Sequence, residues 1–274
     1  MVSAAFSLVA RVRVTVAYAV ILAGVTTVLV ALGPRVQDRV ISHASTNLHN
    51  LSHGHIATLI GSAFVTDAGP VYLWLPGLVC LLAVAELMWG SGRLVTAFAV
   101  GHIGATLVVA AGLTTAVRLG WLPVSVGRAT DVGMSYGAAA VLGALALAIA
   151  PRWRPAWVGW WLAVAIAVAV MDDGDFTEVG HAGALVLGML ASTRFGGPGR
   201  WSPPRYLLLA VAALFGYLML VDTDSALLAG VAGLLGASLA YAVWWLVRDL
   251  RAREVPDDGH LVAVPRGREA TCGE

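Results

Sequence analysis

The chain has 274 residues, of which 59% are hydrophobic and 12% charged, and its formal net charge is +1. A soluble domain carries roughly 25% charged residues, and several uncharged runs here reach the roughly 18–20 residues that cross a bilayer as a helix. This balance excludes a sizeable water-soluble domain and predicts an all-α polytopic membrane protein.

In chain order, the first apolar run spans about 14–32, behind Arg11 and Arg13. It is long and lacks a clear small-residue cleavage site, so it reads as a retained helix and not a signal peptide. A mostly polar segment follows to about 70 and holds His43, His49, His53 and His55. No regular ligand spacing joins these histidines, so a wet interfacial loop is expected and no metal. The second run, about 71–89, leads through the tight turn Gly90-Ser91-Gly92-Arg93 into the third, about 94–116. His102 lies well inside that third run, as a core histidine or a hydrogen-bond donor to a site.

The fourth run, about 133–150, ends at Pro151-Arg152-Trp153-Arg154-Pro155. The fifth covers about 156–171, and an acidic loop, Asp172-Asp173-Gly174-Asp175, precedes the sixth, about 178–193. A Gly/Pro-rich connector leads to the seventh and eighth, about 205–221 and 226–247. The charged tail beyond them has a disordered composition. The expected division is a membrane core over 1–195, two further membrane helices over 196–248 and a cytoplasmic tail over 249–274.

Eight spans would put both termini on one side. Arg11, Arg13, Arg93, Arg152, Arg154, Arg194, Arg200, Arg205 and the arginines after residue 247 fall on that side. Arg35, Arg39, Arg118 and Arg128 fall on the other. By the positive-inside rule both termini are cytoplasmic in a multi-pass cell-membrane protein. All 17 basic residues are arginine, which with abundant Ala, Gly and Val points to a GC-rich, bacterial genome. Cys80 in an apolar run and Cys272 in the tail make no disulfide framework. No nucleotide-binding loop, zinc motif or nucleic-acid face is present, and no cofactor is implied.

Two polar motifs stand at heads of runs that enter from the same side. Gly133-Met134-Ser135-Tyr136-Gly137 places a serine where free helix N–H groups can stabilise an oxyanion. Asp131 is positioned to cap this helix. Gly180-His181 opens the other run; an ionisable side chain within a span is by default a functional hypothesis. Gly180, Ala184 and Gly188 recur beside His181 and make a smooth face for close helix approach. Gly137, Ala140 and Ala144 offer the matching face on the fourth run. Glu178, one turn before His181, is placed to orient its imidazole. The bland alternatives are small-residue packing and a histidine satisfied by a loop carbonyl.

These residues, in this order, resemble the rhomboid family of intramembrane serine proteases over roughly residues 10–195. Gly133-Met134-Ser135 is similar to the family's Gly-x-Ser-Gly motif. His181 and Gly188 are similar to its Ala-His-x-x-Gly-x-x-x-Gly motif, with Gly180 and Ala184 as small replacements. Glu86-x-x-x-Gly90-Ser91-x-Arg93 looks like the family's turn after the second span. Thr46-Asn47-Leu48-His49-Asn50-Leu51 with Ser62-Ala63-Phe64 is similar to its external loop. The resemblance implies a six-helix core with two added helices, Ser135 as nucleophile and His181 as base. It further implies a membrane-protein substrate cut near the external face, in contact with the lipid bilayer.

Two departures are visible. Residues 65–85 lack the family's His-x-x-x-Asn oxyanion pair, and Tyr136 replaces the glycine after the serine. Gly133, Met134, Tyr136 and His102 are then the candidates to support an oxyanion. A non-catalytic protein of the same fold that binds membrane proteins is the alternative. A small transporter is a third reading, opposed by the lack of charge deep in a span.

Overall fold

The computed structural model describes residues 9–66, 71–172 and 175–254. Its helices are α1 (Arg13–Leu32), α2 (Pro34–Ala44), α3 (Leu48–Ser52), α4 (Thr58–Gly61), α5 (Val71–Trp89), α6 (Ser91–Arg118), α7 (Ser135–Ala144), α8 (Arg154–Met171), α9 (Phe176–Ser192), α10 (Pro203–Leu220) and α11 (Ala226–Glu254). No strand occurs among the described residues. Six helices, α1, α5, α6, α8, α10 and α11, are long and apolar enough to cross a membrane. Two more apolar helices are shorter: Ser135–Leu147, which is α7 with a closing 3-10 turn, and α9. The expected eight runs are therefore all helical, but only six have full spanning length. The last helix continues through Arg248 to Glu254, past the boundary near 247 drawn from composition. The tail beyond it, and Asp173 and Gly174 of the acidic loop, lie outside the described residues.

The short α7 is the centre of the bundle. Every residue from Tyr136 to Ala144 is buried, as expected of a helix that is apolar all round. Its Ala and Gly side chains let neighbours come within backbone contact. A Cβ added to Gly188 of α9 would overlap the Ala140 carbonyl, and one on Gly143 would overlap the Leu185 carbonyl. On its other side Gly101 of α6 packs directly on Ala140. The end of α7 is satisfied from outside: Arg154 Nε and Nη2 donate to the carbonyls of Ala146 and Leu147, each at 3.2 Å. These are carbonyls that a terminating helix leaves without partners.

The first helix is held by a carboxylate. Glu86 of α5 is 2% exposed, yet its two oxygens accept from Val14 N (3.0 Å), Thr15 N (2.8 Å), Thr15 Oγ1 (2.7 Å) and Ser91 Oγ (2.7 Å). The free N–H groups and positive dipole end of α1 offset the cost of burying that charge. The Glu86…Ser91 turn is thus a clamp joining α1, α5 and α6. Gly90, at φ +85°, supplies the left-handed residue that the α5–α6 turn requires.

The two C-terminal helices pack on the outside of the core. Phe215 of α10 seats on Gly77 of α5, where an added Cβ would lie 2.6 Å from the Phe215 Cβ. On α11, Gly236 meets Gly159 and Ala163 of α8 in a small-residue seam.

Candidate functional site

The α7 and α9 helices start at the same end of the bundle and pack side by side. Ser135 is the first residue of α7, two residues later than the apolar run began. His181 lies more than one turn inside α9, which starts at Phe176. The two candidate residues share an end but sit at different distances from their helix starts.

The loop that delivers Ser135 is tied on two sides. Asp131 N donates to Ser45 Oγ (2.9 Å), and Asp131 O accepts from Thr46 N (2.8 Å). Gly133, at φ +116°, donates its N–H to Ser62 O at 2.9 Å. Ser62 in turn is fixed through its hydroxyl, which lies 3.1 Å from His102 Nε2. Ser62 and His102 are 0% and 5% exposed. His102 therefore anchors the support under Gly133, and its Nε2 is already engaged. Of these anchors, Thr46 and Ser62 stand in the loop motif noted in the sequence, though not with this role; Ser45 was missed, because a small uncharged polar residue in a loop carries no pattern.

Asp131 does not cap α7; no side chain does, and the N-cap position is Met134. Its carboxyl is instead half-buried, which pushes its pKa up to about 6, and the nearby His181 pulls back against that rise. The expected partner face of α7 also needs correction. Gly137 turns toward Phe98 of α6, not toward α9. Tyr136, Ala140 and Gly143 make the α9 contact. Gly180, Ala184 and Gly188 do face α7: Ala184 is 0% exposed, and a side chain at either glycine would strike Tyr136 or Ala140.

His181 is 5% exposed. Its Nδ1 lies 3.3 Å from Glu178 Oε2, the one-turn neighbour expected to orient it. Its Nε2 is buried and has no hydrogen-bond partner. Tyr136 packs edge-on against the imidazole, with ring centroids 5.3 Å apart. The Tyr136 hydroxyl is likewise buried without a partner, near enough to Asp131, Asp175 and Glu178 to feel their charges. Ser135 Oγ is not bonded to His181 in this arrangement. It faces a cleft of about 700 Å³ between α5 and α10, lined also by Trp74, Thr177 and Phe215. His181 does not line that cleft.

A family model described as rhomboid-like protein matches residues 7–196. The chain belongs to the rhomboid-like family. The match ends in the connector before α10, so the last two helices lie beyond it. No curated protein and no solved structure matches the chain in the other two comparisons. Within this rhomboid-like core, α10 supplies one wall of the cleft at Ser135, a contribution from outside the matched region. Among the described residues no group of three His, Cys, Asp or Glu side chains is placed to hold a metal ion. His43, His49 and His53 lie on the surface; Nδ1 of His43 and of His53 meets a backbone carbonyl of its own helix, each at 2.7 Å.

Proposed function

We propose that this rhomboid-like protein is an intramembrane serine protease, with Ser135 as nucleophile and His181 as general base and then acid. The observation that carries this reading is the way His181 is held. Glu178 at Nδ1 selects the tautomer with the proton on that nitrogen. The other nitrogen, Nε2, is then a bare acceptor, buried and unused at the head of the Ser135 helix. This is the state in which a base can take a proton from a hydroxyl. Ser135 Oγ would attack a peptide carbonyl lying in the α5–α10 cleft as Nε2 takes its proton. The imidazolium would then return that proton to the leaving amine. The unpaired N–H groups of the first turn of α7 would face the oxyanion. A cleft of this size fits an unwound segment of a membrane-spanning substrate. On this reading the site opens outside the cell membrane and both termini are cytoplasmic.

A second reading, a rhomboid-like protein that binds membrane proteins without cutting them, is favoured by one observation. Tyr136 covers the imidazole while Ser135 looks into a cleft that His181 does not line. A fluorophosphonate separates the two, since it mimics the attacked acyl group and needs little substrate recognition. The protease reading expects slow labelling of the folded protein, lost in Ser135→Ala and strongly reduced in His181→Ala. Labelling no higher than the Ser135→Ala background, in lipid and in detergent, would establish the binding protein instead.

A further inference from the structure

The end of the bundle that carries Ser135 holds a second cavity, separate from the α5–α10 cleft. It measures about 580 Å³ and lies between α3, the C-terminal half of α6 and the 3-10 turn at Val124–Arg128. Its charged lining is cationic: Arg118 at the end of α6 and Arg128 at the end of the turn, with the His49 ring on α3 beside them. No acidic residue lines it. Neither guanidinium has an ion-pair partner among the described residues. His49 lies within electrostatic reach of Arg128, and the His53 ring is 4.3 Å from it, tilted at 49°. The Arg118 and Arg128 charges share this cavity without a counter-charge, and an anion between them offsets their repulsion.

Apart from Ser52 and Thr114 the remaining walls are apolar, from residues such as Leu51, Ala111 and Val124. The loop between the two arginines also exposes Leu119 (56%), Trp121 (74%) and Val124 (80%). Large apolar side chains exposed beside arginines at the end of a membrane-length helix are the pattern of a segment lying in the headgroup region. We propose that this cavity binds the phosphodiester headgroup of an anionic glycerophospholipid. Arg118 and Arg128 hold the phosphate oxygens, and an acyl chain runs down the apolar side of α6. Arginine suits this role because its planar fork bonds two phosphate oxygens at once. The shared chemistry is a phosphate anion; the apolar loop and the membrane-length helix make its source a lipid and not free phosphate. The proposal does not depend on whether Ser135 is a nucleophile.

The test uses the full chain in neutral-detergent micelles doped with phosphatidylglycerol or phosphatidylcholine, with bound lipid read by native mass spectrometry. Wild type is expected to retain phosphatidylglycerol at least tenfold over phosphatidylcholine. Arg118→Gln with Arg128→Gln should abolish that preference while leaving the circular dichroism spectrum unchanged, since both side chains are exposed. Arg152→Gln, an exposed arginine at the opposite end, should leave it intact. Inorganic phosphate at equal concentration should not displace the lipid. Equal retention by wild type and the double variant, or equal loss with Arg152→Gln, overturns the site. Displacement by inorganic phosphate overturns the lipid as its occupant.

Discussion

Two glycines of α9 make a controlled experiment on the contact that would place His181. Gly183 and Gly188 sit on the same helix, and replacing either by alanine gains roughly 1 kcal/mol of helix propensity. They differ in what a new Cβ meets. At Gly183 nothing lies within 4 Å. At Gly188 the Cβ overlaps the Ala140 carbonyl oxygen and lies 2.5 Å from its carbon and 2.7 Å from Ala140 Cα. Those are backbone atoms of a helix buried on every side, so no side chain can rotate away; α7 and α9 must separate. Overpacking of this kind costs about 1–3 kcal/mol, and backbone on both sides puts Gly188 near the upper end. Gly183→Ala should therefore be stabilised by about 1 kcal/mol, and Gly188→Ala destabilised by about 2 kcal/mol net. For a chain of this size each kcal/mol shifts the melting temperature by roughly 2–4 °C, so the two variants should differ by roughly 6–12 °C. Intrinsic fluorescence of the ten tryptophans reports the transition in detergent. Equal melting temperatures for the two variants would refute the close α7–α9 contact.

Two further outcomes follow from the loop and from the arginine asymmetry. The Asp131 carboxyl is raised from its ordinary 3.8 to about 6 by burial, so the fold prefers its protonated form. Its cost is absent well below pH 3.8, grows as pH rises to about 6 and is constant above. Asp131→Asn should then raise the melting temperature at pH 7 by an amount corresponding to about 3 kcal/mol, and by well under about 1 kcal/mol at pH 4; the same shift at both pH values would contradict the burial argument. For orientation, single cysteines placed at Ala129 and Arg154 in a background without Cys80 and Cys272 should respond oppositely to an impermeant thiol reagent on intact cells. Ala129 should label and Arg154 should not, and labelling at Arg154 would reverse the proposed topology.

The helices were legible because each is a long apolar run punctuated by Gly, Pro or charge, and that signal needs no tertiary information. The common end of Ser135 and His181 was legible for the same reason, since it depends only on the order of runs. The rotation of α7 was not. A helix that is small and apolar on every side has no polar face to fix which way it turns, so Gly137 reads equally well toward α9 or α6. The clamp at Glu86 was visible only as part of a turn motif. That it caps α1 depends on a contact across more than seventy residues, with hydrogen bonds to Val14 and Thr15. The same holds for Ser62, whose value lies in joining His102 to Gly133.

Tyr136 and Gly180, the two residues next to the candidate dyad that differ from the motifs the chain resembles, form one contact. Tyr136 stands where the family's serine motif resembles a glycine, and Gly180 where its histidine motif resembles an alanine. In the structure these two positions touch: a Cβ on Gly180 would overlap the Tyr136 hydroxyl and the ring carbon that bears it. The large residue on α7 fits because the residue facing it on α9 has no side chain. A double-mutant cycle measures this directly. Gly180→Ala alone should destabilise by about 1–2 kcal/mol through overpacking. Tyr136→Ala alone should cost about 3–5 kcal/mol, because a ring that is 3% exposed leaves a cavity. Together they should cost about 1–2 kcal/mol less than the sum, since the new methyl then enters the space the ring vacated. Strictly additive costs would mean the contact is incidental. The same variants bear on chemistry. With the ring gone, the edge of His181 and its unpartnered Nε2 become accessible from the Ser135 side, and fluorophosphonate labelling should rise in Tyr136→Ala and in the double variant. If labelling stays at background in a folded Tyr136→Ala protein, the tyrosine is not what holds the serine and histidine apart, and the binding-protein reading gains the ground the protease loses.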